Sequence, residues 1–312
     1  MAQTLFAATV HGPPTPFCFF MTAFQQLQAL FSAEDRPLTA PLPLQQHADG
    51  RAMGHFSGLD LHSHFQPLFN TQQQAIAYEA LLRPCVPGGS NYLAPNQAFA
   101  LASTAQTAIY LDRLCRVVHA LNFVRQQPGT AQLFLNVSPQ HLQAVAHNYG
   151  ATFEAMLALC GLRPQQVVLE ILEAGHGDVT QLQQAVQGWR NRGFQIALDD
   201  FGCQNSNFDR LWQLTPDIVK LDKQLVHQAQ SNQRAAIILP KLIEMIHDLG
   251  ALVVCEGIET QAQHQRCTNA GADLLQGYFY ARPAAHLHTV CSATCAKAPA
   301  ATPLASTPAY SS

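Results

Sequence analysis

Two adjacent carboxylates, Asp199 and Asp200, end an apolar run that begins at Gln195 and are followed by Phe201 and Gly202. A short aliphatic run bounded by polar residues and glycine is typical of a buried strand. Two neighbouring carboxyl groups repel each other and resist ionisation unless a cation lies between them. Because carboxylate oxygens prefer hard divalent cations, the pair predicts a divalent metal site at the end of a strand.

The elements that would position this pair alternate between strand and helix. Candidate strands cover residues 61–69, 75–82, 132–137, 166–171, 195–199, 218–221, 251–256 and 273–276. Candidate helices cover residues 95–104, 109–125, 153–159, 179–192, 235–249 and 260–270. The first two strands are too close for a crossover helix, so they are expected to pair antiparallel. This alternation over roughly 230 residues favours an α/β fold, a (β/α)8 TIM-like barrel with an antiparallel first strand.

Most of these strands end in a polar or charged residue, and in a barrel the C-terminal ends of the strands meet at one mouth. The residues at these ends are Glu79, Asn136, Glu170, Asp199 with Asp200, Lys220, Glu256 and Gln276. Acidic side chains are rarely buried without a partner. Such a convergence of oxygen ligands predicts Mg²⁺ or Mn²⁺, and the adjacent aspartates allow two ions about 3.5–4 Å apart.

The regions that flank the expected barrel domain, residues 59–288, differ from it in composition. Residues 1–58 are rich in proline, glutamine and alanine. They are expected to be partly disordered or to form one helix over residues 22–31, and to serve either as a tail or as a segment that docks a protein partner. Three prolines between residues 37 and 43 disfavour regular structure after this helix. Residues 289–312 predict a disordered tail.

The composition limits the class of protein. Apolar residues make up 48% of the 312 residues and charged residues 12%, with a formal net charge of −3. This balance favours a buried core and argues against a nucleic-acid polymer as a partner. The nine cysteines include no CxxC pair, which favours reduced thiols in a cytoplasmic protein. No stretch of about 20 residues is continuously apolar, so no membrane span is expected.

A series of motifs resembles the EAL-domain family, the cyclic di-GMP phosphodiesterases, over roughly residues 60–285. The motif that gives the family its name is present as Tyr78-Glu79-Ala80-Leu81-Leu82-Arg83. The other motifs are Gln66-Pro67, Leu135-Asn136-Val137-Ser138, Leu169-Glu170-Ile171-Leu172-Glu173, Asp199-Asp200-Phe201-Gly202, Lys220-Leu221-Asp222, Cys255-Glu256-Gly257-Ile258-Glu259-Thr260 and Gln276-Gly277-Tyr278. The resemblance implies a barrel enzyme that hydrolyses cyclic di-GMP, a bacterial second messenger, to linear pGpG.

The resemblance also implies two groups of metal ligands. The first ion would be bound by Glu79, Asn136, Glu170 and Asp199. The second ion would be bound by Asp199, Asp200 and, directly or through water, Glu256 and Gln276. Both ions would be Mg²⁺ or Mn²⁺, which lower the pKa of an attacking water and stabilise the leaving oxygen.

Catalytic and substrate-binding roles follow from the same motifs. Lys220 would contact the attacking water and the phosphate oxygens, and Glu256 is the candidate general base. Glu173, also expected to serve catalysis, would anchor the loop after Asp200, which in the family helps to position the second metal and contributes to a homodimer interface. The candidates for substrate contact are Gln66, Asp222 and, as a phosphate clamp, Arg83.

The loop after Asp200 departs from the family pattern. It reads Cys203-Gln204-Asn205-Ser206-Asn207, where the family has a small residue followed by Gly-Tyr-Ser-Ser. Loss of a permissive glycine can change the conformation of such a loop. The departure leaves open a catalytically weak receptor that binds cyclic di-GMP and signals through a partner of residues 1–58. A protein-interaction scaffold is a third alternative, but it would predict eroded metal ligands, and the sequence retains them.

Overall fold

The computed structural model describes residues 16–31, 41–89, 91–137, 149–172, 179–202 and 208–288. The strands in these residues are β1 (Leu44–Gln46), β2 (Ala52–Phe56), β3 (Leu59–Asn70), β4 (Ala75–Cys85), β5 (Gln132–Val137), β6 (Val167–Leu172), β7 (Gln195–Phe201), β8 (Ile218–Leu221), β9 (Leu252–Cys255) and β10 (Leu274–Leu275). The helices are α1 (Pro16–Phe31), α2 (Pro95–Ala100), α3 (Ala105–Arg125), α4 (Tyr149–Cys160), α5 (Val179–Arg190), α6 (Asp209–Leu214), α7 (Lys223–Ser231), α8 (Gln233–Asp248) and α9 (Gln261–Asn269). The expectations for Glu173, for the loop over residues 203–207 and for the tail concern residues outside this set.

The strands from β3 to β10 close into a barrel. β3 and β4 pair antiparallel, and each strand from β4 to β10 pairs parallel with the next. β10 then pairs antiparallel with β3, which completes the ring. Parallel neighbours require a long connection between strands, and the helices supply it. The predicted (β/α)8 TIM-like barrel with an antiparallel first strand is confirmed.

One end of the barrel interior is filled by one apolar side chain from each barrel strand. These buried residues are Leu68, Ala77, Phe134, Val168, Ala197, Ile218, Val254 and Leu274. Side chains two positions apart in a strand lie on the same face. The residues two positions nearer the mouth are Gln66, Glu79, Asn136, Glu170, Asp199, Lys220, Glu256 and Gln276. The apolar layer therefore closes one end of the barrel interior, and the polar layer lies next to it on the side of the mouth.

The outside of the barrel and the inner faces of the helices form a second, larger apolar core. It joins strand residues such as Leu133 and Leu169 to helix residues such as Leu121 and Leu157. Removal of apolar surface from water stabilises a fold by about 25 cal/mol per Å². This core therefore holds the strands, and with them the polar layer, in a fixed position.

The N-terminal region contains strands that the sequence did not predict. The helix expected over residues 22–31 falls within α1, but β1 and β2 then follow and extend the barrel sheet from β3. Pro43 does not prevent this because it precedes β1, where its missing N–H is not needed, and its carbonyl oxygen accepts a hydrogen bond from His55 N at 2.7 Å. A domain boundary between residues 58 and 59 would thus divide two paired strands.

Helices α6 and α7 were also not predicted. The sequence of α7 is rich in glutamine and has few apolar residues, but Asp222 caps its first turn by accepting a hydrogen bond from Gln224 N at 2.8 Å. Within the described residues, no helix is both long enough and apolar enough to cross a membrane.

Candidate metal centre

Lys220 is the centre of a cluster of acidic side chains. Its Nζ lies 2.5 Å from Glu170 Oε1, 2.7 Å from Glu256 Oε1, 2.9 Å from Asp199 Oδ1 and 3.5 Å from Glu79 Oε2. Only 1% of the Lys220 surface is exposed. Each acid lies in a different strand or, for Glu256, directly after one, so the closed barrel is what brings the four acids to one lysine.

Two amide side chains orient these acids. Asn136 Nδ2 donates a hydrogen bond to Glu170 Oε2 at 3.0 Å, and Gln276 Nε2 donates to Glu79 Oε2 at 2.8 Å. In each pair the amide uses its nitrogen, so its oxygen takes no part in the bond. These bonds fix the carboxylates in position and leave amide oxygens as further neutral ligands.

A local change of backbone brings Asp199 and Asp200 into one site, because adjacent residues of a regular strand point to opposite faces. The register between β7 and β8 shifts between Leu198 and Phe201. Asp200 has a φ of 57°, in the left-handed region that aspartate tolerates better than most residues. As a result, carboxylate oxygens of Asp199, Asp200 and Glu256 lie within 4.8 Å of one another.

Burial shifts the pKa values of the groups in this cluster. It raises the pKa of Glu256 to about 8 and that of Glu170 well above its usual value, against the opposing effect of Lys220. Burial and repulsion from Asp199 raise the pKa of Asp200 to about 6. Burial acts to lower the pKa of Lys220, but the surrounding carboxylates outweigh it and hold that pKa well above its usual value. The cluster therefore favours bound positive charge.

The donor atoms of the cluster fit divalent cations. Glu170 Oε1 and Asp199 Oδ1 are buried and, within the described residues, make no hydrogen bond; their contact is the ion pair with Lys220. Carboxylate and amide oxygens are the preferred ligands of Mg²⁺ and Mn²⁺. The residues that would hold such ions are Asp199, Asp200 and Glu256 on one side of the cluster and Glu79, Asn136 and Glu170 on the other.

The cluster adjoins a cavity of about 280 Å³. Besides the acids, Lys220 and Gln276, its lining includes Gln66, Leu81, Lys223, Glu259 and Tyr278. This cavity gives a small molecule access to the acids from the mouth of the barrel.

The fold and this cluster agree with a match between residues 51–283 and the EAL domain family. The chain belongs to the EAL domain family. The EAL domain is 32% identical to the cyclic di-GMP phosphodiesterase RocR of Pseudomonas aeruginosa over 160 residues, which are 50% of this chain and 40% of RocR. The chain spans less than two thirds of the length of the first curated relatives that it matches.

Solved structures share the fold of this EAL domain. A standalone EAL protein from Vibrio cholerae, in a form bound to cyclic di-GMP, has a TM-score of 0.66 and 25% identity, covering 75% of this chain and 97% of that chain. BlrP1 from Klebsiella pneumoniae, in a complex with manganese and cyclic di-GMP, has a TM-score of 0.65 and 26% identity, covering 83% of this chain and 66% of that chain.

The EAL domain brings most of the predicted site residues into its polar layer, and Gln66 lies there opposite Glu79 in the antiparallel β3–β4 pair. Arg83 and Asp222 lie outside the lining of the 280 Å³ cavity. Arg83 is half-buried on the same face of β4 as Glu79, and burial lowers its pKa. The buried Asp222 carboxylate is used to cap α7. Substrate contact by these two residues remains a prediction.

The sequence did not single out Lys223, which lines the cavity of this EAL domain. The available signal was its position, directly after the Lys220-Leu221-Asp222 motif and at the first turn of α7. A lysine in a polar helix is usually a solvated surface residue, so its place beside the acids became visible only with the fold.

A second cavity of the EAL domain, of about 550 Å³, adjoins the metal centre and shares Asp199 and Asp200 with the first. It extends between α2, α3, β4 and β5, and its walls are mainly apolar groups such as those of Pro95 and Phe99. The buried ring of His119 also lines it. These residues come from separate segments, so their spacing in the sequence did not indicate a pocket.

Proposed function

We propose that this EAL domain hydrolyses cyclic di-GMP to linear pGpG with two divalent cations, Mg²⁺ or Mn²⁺. The observation that carries the proposal is the layer of acids and amides around Lys220, whose members lie in the barrel strands or directly after them. RocR, a cyclic di-GMP phosphodiesterase, and BlrP1, in a complex with manganese and cyclic di-GMP, support the substrate and the class of metal.

In the proposed reaction, water adds to one phosphorus atom and the bond from phosphorus to the 3′-oxygen breaks, which leaves a 5′-phosphate. The cations would lower the pKa of the water and stabilise negative charge on the phosphate and the leaving oxygen. Glu256 would accept the proton of the water, and the bound cations would keep its carboxylate ionised for this role. Lys220 would donate to a phosphate oxygen, and Arg83 and Gln66 would hold the substrate.

A direct assay tests the proposal. The full chain would be incubated with cyclic di-GMP and Mg²⁺ or Mn²⁺, and pGpG would be measured by chromatography. We expect turnover that falls at least about 100-fold in the Glu256→Gln and Glu79→Gln variants. Glu244→Gln, on the exposed face of α8, is the matched control and should keep full activity. Absence of pGpG with wild-type protein, or equal activity in the Glu79→Gln variant, would overturn the proposal.

A catalytically weak cyclic di-GMP receptor is the second candidate. It is favoured by residues 203–207, which lack the glycine and the aromatic residue typical of the family. Tight binding of cyclic di-GMP without product would support it. If this loop limits the reaction, replacing Gln204 by Gly together with Asn205 by Tyr should raise turnover. An unchanged rate in that double variant would show that the loop is not limiting.

We further propose a homodimer formed through the loop after Asp200, with Glu173 as its anchor, in a cytoplasmic protein whose N-terminal segment binds a protein partner. Phe208 and Trp212, beside this loop, expose about half of their surface, as expected for an apolar interface. Sedimentation equilibrium should give a dimer for the wild type and a larger monomer fraction for the Trp212→Ala variant.

A further inference from the structure

The second cavity has a mainly apolar lining that also includes the buried polar side chains of Asp112, Arg116 and His119, so it suits a small group with both apolar and polar parts. Its volume of about 550 Å³ falls within the range of small-molecule sites. Because it shares Asp199 and Asp200 with the metal centre, a ligand with its phosphate at the acids can extend a base into it. This step rests on the proposed function, since cyclic di-GMP is the ligand in question.

His119 is a polar group on the wall of this cavity. It is 5% exposed, and its Nδ1 lies 2.7 Å from Ser63 Oγ. Burial lowers the pKa of His119 to about 3, so the ring is neutral at physiological pH. A neutral imidazole has one proton, and the nitrogen that carries it decides whether the ring offers the cavity a donor or an acceptor.

Hydrogen bonds that begin at the backbone of β2 determine which nitrogen of His119 carries the proton. Ala52 N donates to Asn122 Oδ1, and Asn122 Nδ2 donates to Ala52 O, both at 2.8 Å. These two bonds fix the orientation of the amide, so the group that faces Ser63 Oγ at 3.2 Å is the Asn122 Nδ2 donor. Ser63 Oγ therefore accepts this bond and has its own hydrogen to donate.

The hydroxyl hydrogen of Ser63 has one acceptor within the described residues, His119 Nδ1. If Nδ1 instead carried the proton, the buried hydroxyl would donate to nothing in that set, and an unpaired buried donor is costly. The chain of hydrogen bonds from Ala52 through Asn122 and Ser63 thus leaves the His119 proton on Nε2. Nε2–H is then the group that the ring can offer to a ligand.

We propose that His119, held as the Nε2–H tautomer, is a specificity-determining residue that donates a hydrogen bond to a guanine base of the ligand. The N7/O6 edge of guanine presents two acceptors, whereas adenine has an amino donor in place of O6. A donor that faces the O6 position in a buried pocket favours guanine, because adenine would place its amino group there and leave two donors opposite each other. The inference also gives β2 a role in ligand selection through Ala52.

The tautomer can be measured without any ligand. In the ¹⁵N-labelled full chain, a long-range proton–nitrogen correlation spectrum should show His119 with a protonated Nε2 and an unprotonated Nδ1. A protonated Nδ1 would overturn the inference. Asn122→Asp places an acceptor beside Ser63, so the serine should then accept from His119 and the tautomer should switch. Thermal unfolding would show whether the Asn122→Asp variant is folded. If the variant is not folded, the spectrum of the wild type alone determines the tautomer of His119.

The role in specificity can be measured by binding. Dissociation constants for cyclic di-GMP and cyclic di-AMP would be determined by calorimetry with Mn²⁺ in the Glu256→Gln background, where turnover is suppressed. We expect His119→Leu to reduce the preference for cyclic di-GMP about tenfold or more, and His119→Gln, which retains an amide donor, to reduce it less. The matched control is His264→Leu, because His264 is also buried and its Nδ1 lies 2.6 Å from Tyr280 Oη, outside both cavities.

The outcomes separate this inference from the proposed function. If the wild type hydrolyses cyclic di-GMP but His119→Leu keeps the wild-type preference, the inference alone is overturned. If the Glu256→Gln protein binds no cyclic di-GMP and the wild type forms no pGpG, both the inference on His119 and the proposed function are overturned. A shift of the His119 Nε2 resonance on addition of cyclic di-GMP to the metal-free protein would support direct contact, and an unchanged resonance would contradict it.

Discussion

Lys220 Nζ lies 2.5 Å from Glu170 Oε1 at the centre of the barrel, and both side chains are buried. Removal of one partner of a buried ion pair costs about 3–5 kcal/mol, because it leaves an uncompensated charge. Lys220→Met should lower the free energy of unfolding of the metal-free protein by about this amount. Urea denaturation at pH 7 in the presence of a chelator would measure the change.

The same variant reports on the cations. Without Lys220, Mn²⁺ would replace the positive charge that is buried among the acids, so Mn²⁺ should stabilise Lys220→Met more than it stabilises the wild type. Lys241→Met, at an exposed position of α8, should change neither the stability nor the response to Mn²⁺. Equal stabilisation of both variants would contradict a metal centre around Lys220.

Binding of Mn²⁺ should depend on pH because the acids are partly protonated in the metal-free protein. The pKa of Glu256 is raised to about 8 and that of Asp200 to about 6, so a cation must displace protons to bind. The apparent affinity for Mn²⁺ should therefore rise with pH, by up to about tenfold per pH unit between pH 6 and 8 for each proton released. Calorimetry in two buffers of different ionisation enthalpy would measure both the affinity and the number of protons.

The raised pKa values also set the sign of the pH dependence of stability. A carboxyl group whose pKa is raised in the folded state contributes its full stabilisation at pH values below the pKa that it has in the unfolded state. This contribution is lost as the pH rises through the pKa that it has in the folded state. For Glu256 that window runs from its ordinary value of 4.5 to about 8. The metal-free protein should lose thermal stability across this range. A flat profile would mean that the acids are already ionised.

Much of the barrel and of the metal centre could be predicted from the sequence because both depend on local patterns. Buried parallel strands are short apolar runs, and the predicted bounds of β5 and β8 agree with the structure. Strand ends converge in any barrel, so Glu79 and Glu256 could be placed near each other although they are 177 positions apart in the sequence.

Other features depended on tertiary contacts that no local pattern reveals. β1 and β2 were not predicted because nearby prolines disfavour regular structure, although an edge strand tolerates proline before its first residue. The hydrogen bonds from Ala52 to His119 join segments 56 to 70 positions apart, and none of these residues belongs to a motif. The left-handed conformation of Asp200 was likewise invisible, since Asp-Asp-Phe-Gly reads as the end of a regular strand.

The backbone at Asp200 can be tested separately from its charge. Asparagine tolerates the left-handed region, whereas a β-branched residue does not. Asp200→Asn should at least keep the wild-type free energy of unfolding in the metal-free protein, because it removes a buried charge that Asp199 repels, but it should bind Mn²⁺ about tenfold or more weakly. Asp200→Val should lose about 1–3 kcal/mol of stability as well. Urea denaturation and Mn²⁺ titration of both variants would separate the two effects, and equal stability would show that the φ of 57° carries no strain.

Gly277 is the point where the chain after Gln276 passes closest to another backbone segment. A Cβ on Gly277 would lie 2.0 Å from Ile258 O and 2.3 Å from Ile258 N. The same segments are joined by hydrogen bonds from Ile258 N to Gln276 O at 3.0 Å and from Phe279 N to Ile258 O at 2.9 Å. Gly277→Ala must therefore separate them and displace Gln276, which donates a hydrogen bond to Glu79.

We expect Gly277→Ala to lower the free energy of unfolding by about 2–3 kcal/mol and to weaken Mn²⁺ binding, because the Glu79 carboxylate loses its orienting amide. The matched control is Gly188→Ala in α5, where a Cβ meets no atom within 4 Å. Alanine in an open helical position should raise stability by up to about 1 kcal/mol and leave Mn²⁺ binding unchanged. Full Mn²⁺ affinity in a destabilised Gly277→Ala protein would show that Gln276 does not position Glu79 for the cation.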